Sequence, residues 1–153
     1  MSNTYSTLYP VLQRARRRYL DTLEGLAETE LPLRLADGSN SIGFLIRHNA
    51  EVEYRFCANY FGRELPTGVV ISAVGNVKDE GNFTDLASLL AFGDQSYQFL
   101  LDSLAAFPEE KWHDVVDAPI GAMSPLEAVG RLIFHTSYHG GQIGLIRKYA
   151  PGR

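Results

Sequence analysis

Cysteine is almost absent from this sequence of 153 residues, in which Cys57 is the single example. One cysteine excludes an intrachain disulfide framework and is compatible with a reducing compartment, so we expect a cytoplasmic protein. The polar N-terminus has no signal-peptide pattern, and no apolar run approaches the about 18 residues of a membrane-spanning helix. Cys57 lies in an apolar helical stretch, where we expect inert packing rather than a catalytic thiol.

A strong excess of either charge is also missing. The 14 Lys and Arg and the 18 Asp and Glu give a net charge of −4, and they are mixed along most of the chain. Such a distribution provides no field to attract nucleic acid or an anionic membrane. The one basic cluster contains Arg14, Arg16, Arg17 and Arg18. These side chains spread around a helix, which favours a solvated face over a binding patch, with Arg16 at the edge of the apolar stripe.

What the sequence does contain is helical periodicity. Its length predicts a single domain spanning residues 1–153, and its 45% hydrophobic content is enough for a substantial core. Apolar residues recur at alternating spacings of three and four, which is typical of amphipathic helices. We therefore predict an all-α fold, a four-helix bundle. The predicted helices span about Thr4–Glu28, Ser41–Phe61, Thr84–Phe107 and Pro125–Tyr149.

The helix boundaries are marked by capping residues and by a long connection. Ser124, Pro125 and Glu127 form a capping box with proline at the first helical position. Gly62 fits the end of the second helix. The stretch 62–82 then holds four glycines and one proline, with a possible brief extended segment at 69–71. A connection of this length is often functional and permits a bundle in which consecutive helices are not adjacent.

Histidine occurs four times, and three of the four are placed for metal binding. His135 and His139 lie four positions apart in the predicted fourth helix, so their rings project from one face. His48 lies among the apolar residues of the second helix. These imidazoles can bind one metal ion; the alternative is three separately hydrogen-bonded core histidines. His113 precedes the fourth helix and is expected at the surface.

Polar residues one helical turn from these histidines are candidates for supporting roles. Glu51 and Gln142 each follow a candidate ligand by three positions, so they can orient an imidazole or a bound water. The alternative is that they are polar groups satisfying hydrogen bonds at the rim of the bundle. Arg55 has two interpretations. It can form an ion pair with Glu51 one turn earlier, or it can hold a substrate carboxylate at the mouth of a pocket.

The arrangement of these motifs resembles the DinB-like (DinB/YfiT) superfamily. His48 matches the metal-binding histidine that the family carries on its second helix, and His135 and His139 match its HxxxH pair on the fourth. Gly141 and Gln142 complete the HxxxHxGQ pattern, and the resemblance extends from about residue 5 to 149. It implies a four-helix bundle with a metal site. Known relatives include transferases and isomerases that use thiol cofactors such as bacillithiol or mycothiol.

Three neutral histidines leave a divalent metal with at least one open coordination position, which is typical of a catalytic site. Imidazole suits several transition metals, and we expect Zn or Ni. Thr136 replaces the glutamate of an HExxH motif, so this helix supplies no general base of that kind. The favoured function is a mononuclear metal-dependent enzyme that activates a low-molecular-weight thiol or water against a small electrophilic substrate. The alternative is a non-catalytic metal-binding or metal-stabilised interaction protein.

Apolar residues of the predicted first and third helices extend beyond one stripe, which suggests burial against another subunit. A two-fold homodimer is the expected assembly. The third-helix residues behind this expectation are Leu86, Leu89, Leu90, Phe92, Phe99, Leu100 and Leu101.

Overall fold

The computed structural model describes residues 3–151 and confirms the helical bundle. Within this range the α-helices are α1 Thr4–Leu23, α2 Ile42–Tyr60, α3 Leu86–Ala105 and α4 Pro125–Tyr149, and no residue is assigned to a named strand. Short 3-10 turns at Glu28–Glu30 and Glu109–Lys111 follow α1 and α3. None of the described helices is both long and apolar enough to cross a membrane.

The predicted capping residues explain several of the observed helix ends. The Ser124 hydroxyl accepts a hydrogen bond from the Glu127 N–H at 3.3 Å, and the Glu127 carboxylate accepts one from the Ser124 N–H at 2.8 Å. The Ser41 hydroxyl likewise accepts from the Phe44 N–H at the start of α2. Gly62 follows α2 with a φ of 62°, a left-handed conformation that glycine adopts at little cost.

Two predicted helix boundaries and one predicted extended segment differ from the structure. Helix α1 ends at Leu23 rather than Glu28, since Gly25 has a φ of 67° and turns the chain before the 3-10 segment. Helix α3 begins at Leu86 rather than at Thr84, because Asp85 caps it by accepting a hydrogen bond from the Ser88 N–H at 2.8 Å. Residues 69–71 form no strand and belong to the irregular connection between α2 and α3.

The order of the helices around the bundle differs from their order in the chain. Helix α2 packs against both α3 and α4, and α1 packs mainly against α4 with a smaller contact to α3. The cyclic order is therefore α1, α4, α2, α3, so that α1 and α2 lie across the bundle from one another. This arrangement brings α2 and α4, the two helices that carry the candidate ligands, side by side.

Arg16 lies inside the bundle, whereas its sequence pattern predicted a position at the edge of the apolar stripe. Its side chain is only 10% exposed and lies 3.7 Å from the buried carboxylate of Glu53. It also donates to the Gly93 carbonyl at 2.9 Å and lies over the Tyr97 ring, 4.8 Å from the centroid. The remaining members of the basic cluster, Arg14, Arg17 and Arg18, are exposed.

Most of the apolar α3 residues from which a dimer was predicted pack inside the protomer. Leu89 and Leu100 are buried. Phe92 and Phe99 each lie with their ring centroids 5.4 Å from that of Tyr54 on α2. Leu90 is 37% exposed. The apolar surplus that we expected on α3 is therefore largely used for contacts between α2 and α3.

Candidate metal centre

The structure brings together the three histidines that the sequence selected. His48 comes from α2, and His135 and His139 come from adjacent turns of α4. The Nε2 atom of His135 lies 2.9 Å from Nε2 of His48 and 3.1 Å from Nε2 of His139. One potential ligand atom from each ring lies within 4.8 Å of the other two. The predicted convergence of the three rings is confirmed.

Hydrogen bonds at the outer nitrogens orient two of these rings. The Nδ1–H of His48 donates to the backbone carbonyl of Ala73 at 2.6 Å, and the Nδ1–H of His139 donates to Oε1 of Gln142 at 2.5 Å. A carbonyl oxygen can only accept, so Nδ1 carries the proton in both rings. In the neutral imidazole, Nε2 then has a free lone pair that points to the centre of the group.

His135 has no such outer partner. Its Nδ1 atom is buried and makes no hydrogen bond within residues 3–151. Neutral His135 has two tautomers. If its proton is on Nδ1, the lone pairs of all three Nε2 atoms face one another. If its proton is on Nε2, only one of the other two rings can accept the hydrogen bond. Either tautomer leaves unshared electron pairs in close contact, and a cation between the rings relieves this repulsion.

Burial keeps the two α4 histidines neutral. Desolvation lowers the pKa of His135 to about 3, with smaller contributions from His139 and His48 beside it. Desolvation also lowers the pKa of His139, partly opposed by the hydrogen bond to Gln142. Neutral imidazoles are the form that binds metals, so these rings are ready to act as ligands at neutral pH.

The group fits a first-row divalent metal by donor type and by spacing. Nitrogens bound tetrahedrally to zinc at about 2.0–2.1 Å lie about 3.3 Å from one another, a few tenths of an ångström beyond the separations of 2.9 and 3.1 Å. Within the described residues this group contains no carboxylate or thiolate. Three imidazole ligands would therefore leave a tetrahedral ion with one position for a further ligand.

The supporting residues divide into one that hydrogen-bonds to a histidine and two that do not. Gln142 makes the contact predicted for it, through His139. Glu51 makes no hydrogen bond to an imidazole within residues 3–151; its carboxylate instead accepts hydrogen bonds from the Ser72 and Ala73 N–H groups of the long connection. Arg55 is partly exposed and forms no ion pair within residues 3–151, so the predicted pair between Arg55 and Glu51 is wrong.

The actual partner of Glu51 is Arg47. The Arg47 Nε lies 2.6 Å from Oε1 of Glu51, and its Nη2 donates to the Val70 carbonyl at 2.7 Å. The guanidinium also lies 3.6 Å from the centroid of the Phe92 ring. Arg47 and Arg55 are both four positions from Glu51, so spacing alone does not distinguish them, whereas the contacts of Arg47 outside α2 do.

Aromatic rings border the histidines. The Phe44 ring stacks near His48 with centroids 6.1 Å apart, and the Tyr138 ring lies 5.2 Å from that of His139. Tyr138 is 54% exposed. His113 is exposed and does not belong to the group, as expected.

Comparison with known proteins agrees with the fold. TT2238, described as a four-helix bundle protein, superposes with a TM-score of 0.65 at 20% identity, over 90% of this chain and 96% of that one. A conserved protein from Enterococcus faecalis superposes with a TM-score of 0.74 at 17% identity, over 100% of both chains. No curated protein matches the sequence.

The family assignment comes from the sequence itself. The DinB superfamily model matches residues 12–143, a range that includes all three histidines and extends from α1 into α4. The chain belongs to the DinB superfamily.

Proposed function

We propose that this protein is a mononuclear metal-dependent enzyme, a thiol-cofactor-dependent transferase or a hydrolase acting on a small electrophilic substrate. His48, His135 and His139 would hold a divalent transition metal, with Zn or Ni favoured by the imidazole donors. The observation that carries the proposal is the meeting of the three Nε2 atoms, with His135 Nε2 at 2.9 and 3.1 Å from the other two. A structural role alone does not require these lone pairs to face one another.

The residues around the site have separable tasks in this proposal. A zinc ion with an open position acts as a Lewis acid and lowers the pKa of a water or thiol placed there. Ala73 and Gln142 fix the tautomers of His48 and His139. Thr136 occupies the position of the HExxH glutamate and carries no carboxylate that could act as a general base there.

A non-catalytic, metal-binding or metal-stabilised interaction protein is the second candidate. One observation favours it: Glu51 makes no hydrogen bond to a histidine within the described residues, and both of its oxygens already accept hydrogen bonds from other groups. Within residues 3–151 the three-histidine group includes no carboxylate, so no acidic side chain stands beside it as a general base. This candidate predicts stoichiometric metal without turnover.

Metal analysis followed by turnover assays separates the two candidates. The protein is purified without a metal-affinity tag, its metal content is measured, and zinc- and nickel-loaded samples are offered small electrophiles with bacillithiol, mycothiol or water. One metal per chain with turnover that requires the thiol or water supports the enzyme. One metal per chain without turnover supports the interaction protein, and absence of metal binding contradicts both.

The proposed assembly is a two-fold homodimer, and the outer face of α4 supports it. Phe134, Tyr138, Leu145 and Tyr149 are 50–68% exposed along one side of this helix. Phe134 and Tyr149 are equally far from a midpoint just after Gly141, as are Tyr138 and Leu145. An antiparallel second copy would therefore place Phe134 against the partner's Tyr149 and Tyr138 against the partner's Leu145.

The area of this stripe is consistent with the proposed dimer. Four half-exposed side chains of this size offer on the order of 400 Å² per protomer, compared with about 800 Å² per partner in a specific interface. Polar residues flanking the stripe would supply the remainder. Gly141 lies at the centre of the stripe with no neighbouring atom where a Cβ would be, so two helices can approach closely there. The proposed location of the protein is the cytoplasm, with which a buried, unpaired Cys57 is compatible.

A further inference from the structure

The carboxylate of Glu51 is completely buried and fully hydrogen-bonded. Its Oε1 accepts from the Arg47 Nε at 2.6 Å and from the Ser72 hydroxyl at 3.0 Å. Its Oε2 accepts from the Ser72 N–H at 2.8 Å and from the Ala73 N–H at 2.6 Å. A buried carboxylate is costly unless it is paired, and here one cation and three neutral donors offset that cost. Glu51 therefore holds residues 72 and 73 firmly against α2.

Ala73 connects this carboxylate to the candidate metal centre. Its N–H donates to Glu51, and its carbonyl accepts the hydrogen bond from Nδ1 of His48 at 2.6 Å. Glu51 follows His48 by three positions in α2, so both side chains leave the same face of the helix and reach the same residue. Ala73 is 1% exposed, and this burial limits competition from solvent for either hydrogen bond.

We propose that Glu51 is a positioning residue for His48 and acts through the backbone of Ala73. The carboxylate fixes the Ala73 carbonyl, the carbonyl keeps the proton of His48 on Nδ1, and Nε2 is thereby left free to bind a metal. This inference rests on the proposed metal site, but its first consequence, the tautomer of His48, exists without a metal. The competing explanation is that Glu51 only anchors the connection and does not influence His48.

Arg47 strengthens the argument, because it holds the same segment from the other side of His48. It donates to the Val70 carbonyl at 2.7 Å and to Glu51 at 2.6 Å. Its guanidinium also stacks on Phe92, 3.6 Å from the ring centroid, which ties the segment to α3. Arg47 and Glu51, on either side of His48 in the sequence, thus both hold the connection at residues 70–73.

The test compares Glu51→Gln and Glu51→Asp with wild type. Glutamine keeps the size of the side chain but directs an amide NH₂ at groups that are themselves donors. Aspartate keeps the charge but is one methylene too short for the same contacts. Two quantities are measured: the zinc dissociation constant by competition with a chromophoric chelator, and the His48 tautomer in the metal-free protein by ¹H–¹⁵N spectra of the ring nitrogens.

Both variants should weaken zinc binding by about 10- to 100-fold, the usual effect of losing a residue that supports a metal ligand. In both variants, His48 should no longer be present as the Nδ1–H tautomer alone. The matched control is Glu53→Gln, which alters another buried carboxylate of α2 that bonds Ser96 rather than the connection. Glu53→Gln should leave the zinc affinity and the His48 tautomer as in wild type.

Three outcomes would overturn the inference, and they are distinct from failure of the metal site. Wild-type zinc affinity in Glu51→Gln removes the positioning role. Restored affinity in Glu51→Asp assigns the effect to charge alone. An unchanged His48 tautomer in both variants shows that Glu51 only anchors the connection. If Glu51→Gln does not fold, the His48 tautomer in Glu51→Asp decides the question. If wild type binds no zinc, the proposed function fails, but the His48 tautomer in the metal-free variants still tests this inference.

Discussion

Gln142 accepts a hydrogen bond from His139 one helical turn earlier, with 2.5 Å between Oε1 and Nδ1. The i, i+3 spacing on α4 makes this contact local, so it depends on no other helix. It fixes the proton of His139 on the nitrogen that faces away from the other two histidines. The same residue is the glutamine of the HxxxHxGQ pattern, which gives that position of the motif a physical task.

Replacing Gln142 should therefore weaken metal binding without unfolding the protein. Gln142→Leu removes the acceptor, and we expect the zinc dissociation constant to rise about 10-fold or more. Gln142→Glu retains an acceptor for the Nδ1–H and should bind zinc at least as well as Gln142→Leu does. Gln98→Leu is the control, since Gln98 donates to Asp102 on the exposed side of α3, away from the histidines. Equal zinc affinity in Gln142→Leu and wild type would contradict this role.

Glu53 should make the stability of the protein depend on pH. Burial raises its pKa from 4.5 to about 7, although Arg16 and Ser96 act in the opposite direction. Between these two values the unfolded chain loses the proton first, so the free energy of unfolding falls as the pH rises from about 4.5 to about 7 and levels off above that range. Below the unfolded pKa the protonated carboxyl carries no penalty, and the full stability is present.

Glu53→Gln is neutral at every pH and should lack this contribution. Urea unfolding of wild type and variant at several pH values between 4.5 and 8 gives the difference in stability at each pH. The variant should become more stable relative to wild type as the pH rises towards 7. A difference that does not change with pH would contradict the buried, protonatable state of Glu53.

Gly43 and Gly130 should respond to alanine in opposite directions. A Cβ at Gly43 would overlap the Phe83 carbonyl oxygen and lie 3.1 Å from its carbon, so Gly43→Ala must displace the connection from α2. We expect it to cost about 1–3 kcal/mol of stability. A Cβ at Gly130 in α4 meets nothing within 4 Å, so Gly130→Ala should stabilise the helix by about 0.5–1 kcal/mol. Urea unfolding measures both effects. Destabilisation by Gly130→Ala would contradict the open space beside Gly130.

The proposed dimer can be assigned to a face by two charge substitutions. Leu145 lies within the exposed stripe of α4, and Leu90 lies on α3, one of the two helices on which the sequence had placed the interface. Light scattering at micromolar concentration should show wild type and Leu90→Glu as dimers and Leu145→Glu as a monomer. A monomeric wild type would contradict the dimer, and dissociation of Leu90→Glu alone would return the interface to α3.

The features that were predictable from the sequence are local ones. The four helices follow from apolar periodicity, and the start of α4 follows from a capping box formed by neighbouring residues. His135 and His139 were recognised because a separation of four positions places both rings on one helix face. His48 was recognised as a histidine on the apolar face of a second helix, and the resemblance to the DinB-like superfamily supplied the expectation that it meets the α4 pair. The helices, the capping box and the spacing of His135 and His139 need no knowledge of how distant segments pack.

The features that were missed depend on distant segments. The acceptor for His48 is a backbone carbonyl at Ala73, in an irregular connection whose path has no periodic pattern. The choice of Arg47 over Arg55 as the partner of Glu51 depends on Val70 and Phe92, which lie outside α2. Arg16 lies inside because groups on α2 and α3 receive its guanidinium, although α1 alone shows only an arginine beside an apolar stripe.

The central claim is that the three histidines bind one metal in the folded protein, and thermal unfolding of metal-free protein with and without zinc tests it most directly. A ligand that binds only the native state stabilises it by about 2.7 kcal/mol at a hundredfold excess over its dissociation constant. Zinc should therefore raise the melting temperature of wild type and of His113→Ala, and should have no effect on His135→Ala or His139→Ala. An unchanged melting temperature for wild type, or an equal rise in His139→Ala, would contradict the account and leave these residues as ordinary core histidines.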